Sequence, residues 1–315
     1  MKSTIIPEEY AGQRLDKALL LLFPETSLRH RRRLVSSWDI RVDGVVRGPA
    51  YKVRAGETLT AAEPAEAEVA AETKGASIHA VSRPWAALYK PAGLDSETLA
   101  GGARPGLDRL CAELDAQTRA AENAALGQKE AWQLVSRLDR DVSGLVAAAQ
   151  GTEAVARFRT LEGAGEVGKT YLLLAAPENA AKLPAGSGHV IKKALDMANR
   201  MRVRALEADD PDPARWTRFT VLGSLLLGDE EALLVQANIA RGARHQIRVH
   251  AAAAGLPIVG DPVYGAGDHP TGILFLHCAQ LRIEDFETEA PPSWGEALGS
   301  EYERCLALAG MDRQS

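Results

Sequence analysis

Only three cysteines occur in the 315 residues, Cys111, Cys278 and Cys305, odd in number and far apart. No Cys-x-x-Cys pair occurs among them, which argues against a disulfide framework and a structural zinc site. Long apolar runs are equally scarce. None approaches the ~18 residues that a membrane span needs, and the first residues lack the apolar stretch of a secretory signal. We therefore expect a soluble, cytoplasmic protein without a membrane partner. His-Glu-x-x-His, P-loop and dinucleotide-binding glycine signatures are absent. His245 and His250, five apart, have the wrong spacing for two metal ligands on one helical face, so core or hydrogen-bonding roles suit them better and no metal is expected.

An excess of positive charge is also missing, since the net charge is −5. Its distribution matters more than its sum. Residues 1–60 hold eleven Lys and Arg against seven Asp and Glu, leaving that part at +4 and the remainder at −9. A basic appendage on an acidic body fits an electrostatic footprint confined to one face. With 46% hydrophobic residues, the chain is long enough for a substantial core and about two domains.

The densest charge lies in Arg137-Leu138-Asp139-Arg140-Asp141, immediately before the apolar run Leu145–Ala149, which reads as a buried strand. Asp139 is thus a carboxylate between two guanidinium groups on a rigid base. On these residues alone, a salt-bridged loop and a reactive carboxylate both remain open. Upstream, Leu15, Ala18, Leu19 and Leu22 predict a helix ended by Pro24. A second helix behind Ser27 carries Arg29, Arg31, Arg32 and Arg33 on its outer surface, one sign only, which favours phosphate contact over a solvated face. Asp43-Gly44 between Ile40–Val42 and Val45–Arg47 predicts a tight hairpin.

Further on, residues 63–80 are rich in Ala and Glu and read as a linker. Trp85–Tyr89 is a strand stopped by Lys90-Pro91-Ala92-Gly93, an amphipathic helix follows Thr152, and Lys169–Leu174 and Leu233–Ile239 are strands. Lys169 and Tyr171 share a strand face, and Tyr171 suits either a core or a stacking role. Arg241–His250 is expected to be helical through Ala254 and stopped by Gly255, which places Arg244 and Arg248 one turn apart on one face as anion partners.

Several of these segments resemble the RluA class of pseudouridine synthases. Arg137–Gly144 is similar to the aspartate-loop signature, Lys90–Gly93 to the turn before it, Lys169–Tyr171 to the Lys-x-Tyr pair, and Gly242–Asp261 to the third motif. Ser136, Val142 and Ala243 depart from the family pattern. Residues 12–62, with two helices and a hairpin, resemble the small RNA-binding module named after ribosomal protein S-four.

The resemblance implies an α+β fold: residues 81–315 form a catalytic domain with a mostly antiparallel mixed sheet, preceded by a small α/β RNA-binding module within residues 1–62. It implies an isomerase in which Asp139 is the nucleophile, Arg248 its partner, and Tyr171 stacks on the target base. RNA contacts are then expected from Arg29, Arg31, Arg32, Arg33, Arg137, Arg140, Lys169, Arg244 and His245. No redox step occurs, so no cofactor is expected. Ribosomal RNA is the first candidate substrate, transfer RNA the second, and a monomer is the default. The main rival is a non-catalytic RNA-binding or ribosome-assembly factor that keeps the fold. A second is a hydrolase that cuts the glycosidic bond without rejoining it.

Overall fold

Alternating burial along Asp39–Val42 and left-handed backbones at Asp43 and Gly44, φ +49° and +75°, make the expected hairpin. It belongs to a computed structural model that describes residues 2–24, 26, 28, 31, 34–35, 39–62, 75–98, 106–121, 130–176, 183–199, 202–265 and 272–308. The chain divides into two compact units, Met1–Gly75 with Leu94–Leu110, and Ala76–Gly93 with Cys111–Ser315.

In the first unit, strands β1 (Lys2–Ile5), β2 (Asp39–Val42), β3 (Val45–Val46) and β4 (Thr58–Ala62) form a sheet of order β1-β4-β2-β3. Helix α1 (Leu15–Ala18) runs into a 3-10 turn, Leu19–Leu21, and packs Leu15 and Leu19 against Ile40, Leu59 and Ala61. Residues 28, 31, 34 and 35 are helical. Arg31 corrects the expected all-outward arginine face. It is buried, and its guanidinium donates to the carbonyls of Asp16, at 3.1 Å, and Thr26. Backbone carbonyls taken out of water need a donor, and the guanidinium supplies one to each. Arg29, Arg32 and Arg33 lie outside the described residues.

The second unit is built on strands β5 (Ser77–Ser82), β6 (Trp85–Lys90), β7 (Trp132–Leu134), β8 (Ser143–Gln150), β9 (Val167–Ala175), β10 (Gly188–Ile191), β11 (Lys193–Asp196), β12 (Arg204–Asp209), β13 (Thr217–Leu227), β14 (Glu230–Ile239), β15 (Leu276–Ile283) and β16 (Phe286–Glu289). Helices α2 (Leu110–Ala121), α3 (Gly151–Ala164), α4 (Gln246–Ala253) and α5 (Gly295–Leu308) accompany them. One large sheet runs β10-β13-β14-β9-β15-β8-β6-β5, with β16 on β15 and β7 on β8, while β11 and β12 pair separately. Its pairs are antiparallel except β8 with β15, in keeping with the mostly antiparallel mixed sheet.

β9 sits in the middle of this sheet and is buried on both faces, so Leu172, Leu173 and Leu174 form a continuous run rather than an alternating one. Leu173 joins Val235, Val221 and Phe158 on one side, and Leu172 and Leu174 meet Phe275, Tyr302 and Leu306 on the other. Each such leucine contributes roughly 2 kcal/mol by burial. Among the described residues, no helix is long and apolar enough to cross a membrane.

Two expectations change here. The stretch read as a linker through residue 80 ends in β5, which pairs with β6. Its inward positions, Ile78 and Ala80, are too few to outweigh Ser77, His79 and Ser82 in a hydropathy pattern. Residues 63–74 lie outside the described residues. The helix carrying Arg248 starts only at Gln246, because His245 has a left-handed backbone, φ +54°, ψ 12°. Arg244 therefore precedes the helix and does not share a helical face with Arg248.

Candidate active site

The loop bearing Asp139 leads into β8, and Gly144 fixes its approach. Gly144 has φ +114°, and a Cβ there would stand 2.2 Å from the Cys278 carbonyl oxygen, so only glycine allows β8 to lie beside β15. From below, the fully buried Lys90 donates to the carbonyls of Pro91 at 3.0 Å and Arg140 at 2.8 Å, and the Gly93 N–H also reaches Arg140, at 2.9 Å. The Lys90–Gly93 turn therefore grips the loop one residue past Asp139.

The departures from the family pattern have local places of their own. Ser136 Oγ accepts the Ala147 N–H at 2.8 Å, Val142 is packed in the core, and the Ala243 N–H donates to the Gln246 side chain at 2.9 Å.

Arg248 comes from the first turns of α4 and is 8% exposed. Its Nη1 donates to Asp139 Oδ2 at 3.2 Å, while Nε and Nη2 grip Asp261 at 2.7 and 2.8 Å. Asp261 is completely buried and also accepts the N–H groups of Val263 and Tyr264. Its position follows from Gly255, φ +71°, which ends α4, and from the Val259 N–H, which donates to Leu174 at the end of β9. Burial opposes charge on both partners. The pairing outweighs it, holding the Asp261 carboxyl below its usual range and raising the Arg248 guanidinium.

Asp139, 26% exposed, is the most open member of this chain of charges. Its Oδ2 faces Arg248 and, at 3.7 Å, His245 Nε2. Oδ1 has no hydrogen bond or ion pair among the described residues. Tyr171 is buried on β9, opposite Cys278. Burial, then the Cys278 thiol, then the Asp139 carboxylate push its phenol well above the usual value, so it is neutral at physiological pH.

The remaining expected contacts separate. Arg137 and Arg140 are exposed on the loop, and Arg244 is exposed before α4. Lys169 is 5% exposed and bonded to Glu162 at 2.6 Å, so its ammonium faces an acidic partner rather than an open surface. His245 joins Asp139 and Tyr264. The sequence alone assigned no role to Asp261, the last residue of the third motif, or to Tyr264, three residues beyond it. Among the described residues, no group of three or more His, Cys, Asp or Glu could hold a metal ion.

Comparison with known proteins points the same way. The family model for RNA pseudouridylate synthases matches residues 84–253. An RNA pseudouridine synthase of Chloroflexus aurantiacus is 30% identical over 285 residues, 89% of this chain and 84% of that protein. Ribosomal large subunit pseudouridine synthase D of Xanthomonas campestris is 28% identical, with 90% of this chain and 80% of that one aligned. Ribosomal large subunit pseudouridine synthase C of Vibrio vulnificus is 26% identical, with 96% and 94% aligned. Among solved structures, human RNA pseudouridylate synthase domain containing 1 superposes with a TM-score of 0.51 at 21% identity, covering 80% of this chain and all of that one. That last likeness is one of fold.

Proposed function

The chain belongs to the RNA pseudouridylate synthase family, and from that premise we propose that it isomerises uridines of ribosomal RNA with Asp139 as the nucleophile. The observation that carries the reading is the unequal state of the two Asp139 oxygens. Oδ2 faces Arg248 and His245, whereas Oδ1 is uncommitted among the described residues and is the oxygen a ribose can approach.

Breaking the bond between C1′ and N1 develops positive charge on the sugar, which a neighbouring carboxylate stabilises or captures. In the covalent route, Oδ1 bonds to C1′ as the uracil leaves with the electron pair on N1. The uracil turns, C5 attacks C1′, and the carboxylate leaves. C5 then loses its proton and N1 gains one, so atoms and electrons balance without a redox partner. Arg248 orients the carboxylate throughout, and Asp261 orients Arg248.

Reaching the target base requires unstacking it, at a cost of a few kcal/mol. The neutral Tyr171 ring, next to the carboxylate, suits stacking on the extruded uracil. Arg137, Arg140 and Arg244, exposed around the loop, supply cations for flanking phosphates. Arg29, Arg32 and Arg33 of the N-terminal module add an RNA contact of their own in this reading. The protein acts as a cytoplasmic monomer, with transfer RNA as the second substrate class to test.

The decisive experiment follows tritium released from ring carbon five of uridine in undermodified ribosomal and transfer RNA. Release by the wild type but not by Asp139→Asn, with pseudouridine and no free uracil among the products, supports the reading. Failure to release tritium from any RNA favours a binding factor, and free uracil would identify a hydrolase.

A further inference from the structure

Tyr264 touches both groups that face Asp139 Oδ2. The Arg248 guanidinium lies over its ring, 5.2 Å from the centroid, and the His245 ring meets it edge-on at 5.6 Å. Its hydroxyl oxygen accepts the Val203 N–H at 2.7 Å and stands 2.9 Å from His245 Nδ1. Among the described residues, Nδ1 is the one acceptor within reach of the hydroxyl hydrogen. A hydroxyl that donates to Nδ1 leaves a neutral ring with its proton on Nε2. That nitrogen is 3.7 Å from Asp139 Oδ2.

We propose that Tyr264 fixes His245 as the Nε2–H tautomer, and that this N–H joins Arg248 in holding Asp139 Oδ2 so that Oδ1 is presented to the ribose. His245 and Tyr264 are positioning residues, and the proposal rests on the reading of Asp139 as nucleophile. At 3.7 Å the last contact is longer than a hydrogen bond. Such contacts tighten when substrate completes the site, and Asp139 is more open than His245 or Arg248.

The relay needs a neutral ring, because an imidazolium carries both protons and has no lone pair for the Tyr264 hydroxyl. Burial lowers the His245 pKa and the Arg248 and Arg244 charges add to that, while Asp139 and Asp261 oppose it. Those four charges and the Tyr264 hydroxyl are the charged and titratable groups facing the ring among the described residues.

The test combines nitrogen NMR of the ¹⁵N-histidine-labelled full chain with turnover. His245 signals are assigned by their disappearance in His245→Gln. The wild type at neutral pH is expected to show the Nε2–H pattern, and Tyr264→Phe a shift toward the other tautomer. Tyr264→Phe should lower kcat roughly three- to ten-fold, as for one lost hydrogen bond, with KM within about two-fold. His245→Gln, whose amide N–H reaches the place of Nε2, should keep more activity than His245→Ala.

A wild-type ring found as Nδ1–H or as imidazolium overturns the proposal, and so does Tyr264→Phe with unchanged kcat and tautomer. The wild-type tautomer is read without substrate, so it is judged even if Tyr264→Phe misfolds. Absence of pseudouridine formation by the wild type would instead overturn the functional reading.

Discussion

Arg248 bonds Asp261 through two nitrogens and Asp139 through the third, so one buried guanidinium is shared between a fully buried carboxylate and a partly open one. The division is unequal: Asp261 is completely buried, while Asp139 is about a quarter exposed. Asp261 therefore sets where Arg248 points, and Arg248 sets where Asp139 points.

Asp261→Asn tests this order. An amide in place of Oδ2 would put N–H against the Arg248 Nε–H and leave the buried guanidinium with only the more open Asp139 as counter-charge. Breaking such a pair costs about 3–5 kcal/mol. We expect a fall in thermal stability together with a large loss of kcat, although the substituted side chain would never touch the ribose. A variant with wild-type stability and turnover would show that Arg248 is held by other groups.

A second prediction concerns Gly144. Gly144→Ala places a methyl 2.2 Å from the Cys278 carbonyl at φ +114°, so β8 and β15 must separate. At Gly93, φ +85°, an added Cβ meets nothing within 4 Å, and only the left-handed backbone is penalised, at about 1 kcal/mol. Denaturant melts of the two alanine variants should rank Gly144→Ala as far the more damaging. Equal losses would mean that the β8–β15 contact gives way easily.

Much of this arrangement is legible in the chain because the signals are local. Asp43-Gly44 specifies its own turn, and the run Leu172–Leu174 carries the burial of β9 on both faces. The Asp139 loop is conspicuous because charge sits directly against an apolar strand. What escapes is decided by distant neighbours. His245 is an ordinary residue in a left-handed conformation, so the helix through Arg244 looks continuous until the Gln246 side chain is seen bonding back to Ala243. Lys169 and Arg31 look like surface cations, yet Glu162 and two carbonyls draw them inward. Asp261 becomes the partner of Arg248 only because Gly255 turns the chain and Val259 pins it to β9.

Lys90 offers a third prediction, since its ammonium is fully buried and holds the Pro91 and Arg140 carbonyls. Lys90→Met keeps the length of the side chain and removes the donors. Charged hydrogen bonds of this kind contribute about 1.5–3 kcal/mol each. The amide of Gly93 still reaches Arg140, so the loop should loosen rather than unfold. Faster hydrogen exchange over residues 136–142 with a reduced kcat is the expected outcome. Unchanged exchange there would remove Lys90 from the account of loop order.

The last prediction is a pH dependence seated at His277, beside the Asp139 loop. Its Nε2–H donates to the Ala290 carbonyl at 2.8 Å, and in the neutral ring that burial favours, Nδ1 accepts from the Ser143 hydroxyl at 2.7 Å. Burial lowers its pKa from 6.5 to about 4, against the opposing effect of the Ala290 carbonyl. Between those two values the unfolded chain binds a proton that the folded chain refuses, so the contribution is complete above about pH 6.5 and shrinks as the pH falls toward 4. At 1.36 kcal/mol per unit, the shift corresponds to roughly 3 kcal/mol. Burial lowers His245 and His250 as well, so the wild-type curve alone does not isolate the group. The difference between wild type and His277→Gln does: it should be constant above about pH 7 and narrow toward pH 4, where the wild type loses its advantage. A pH-independent difference would mean that the ring is solvated, and Ser143 would then have to be held by something else.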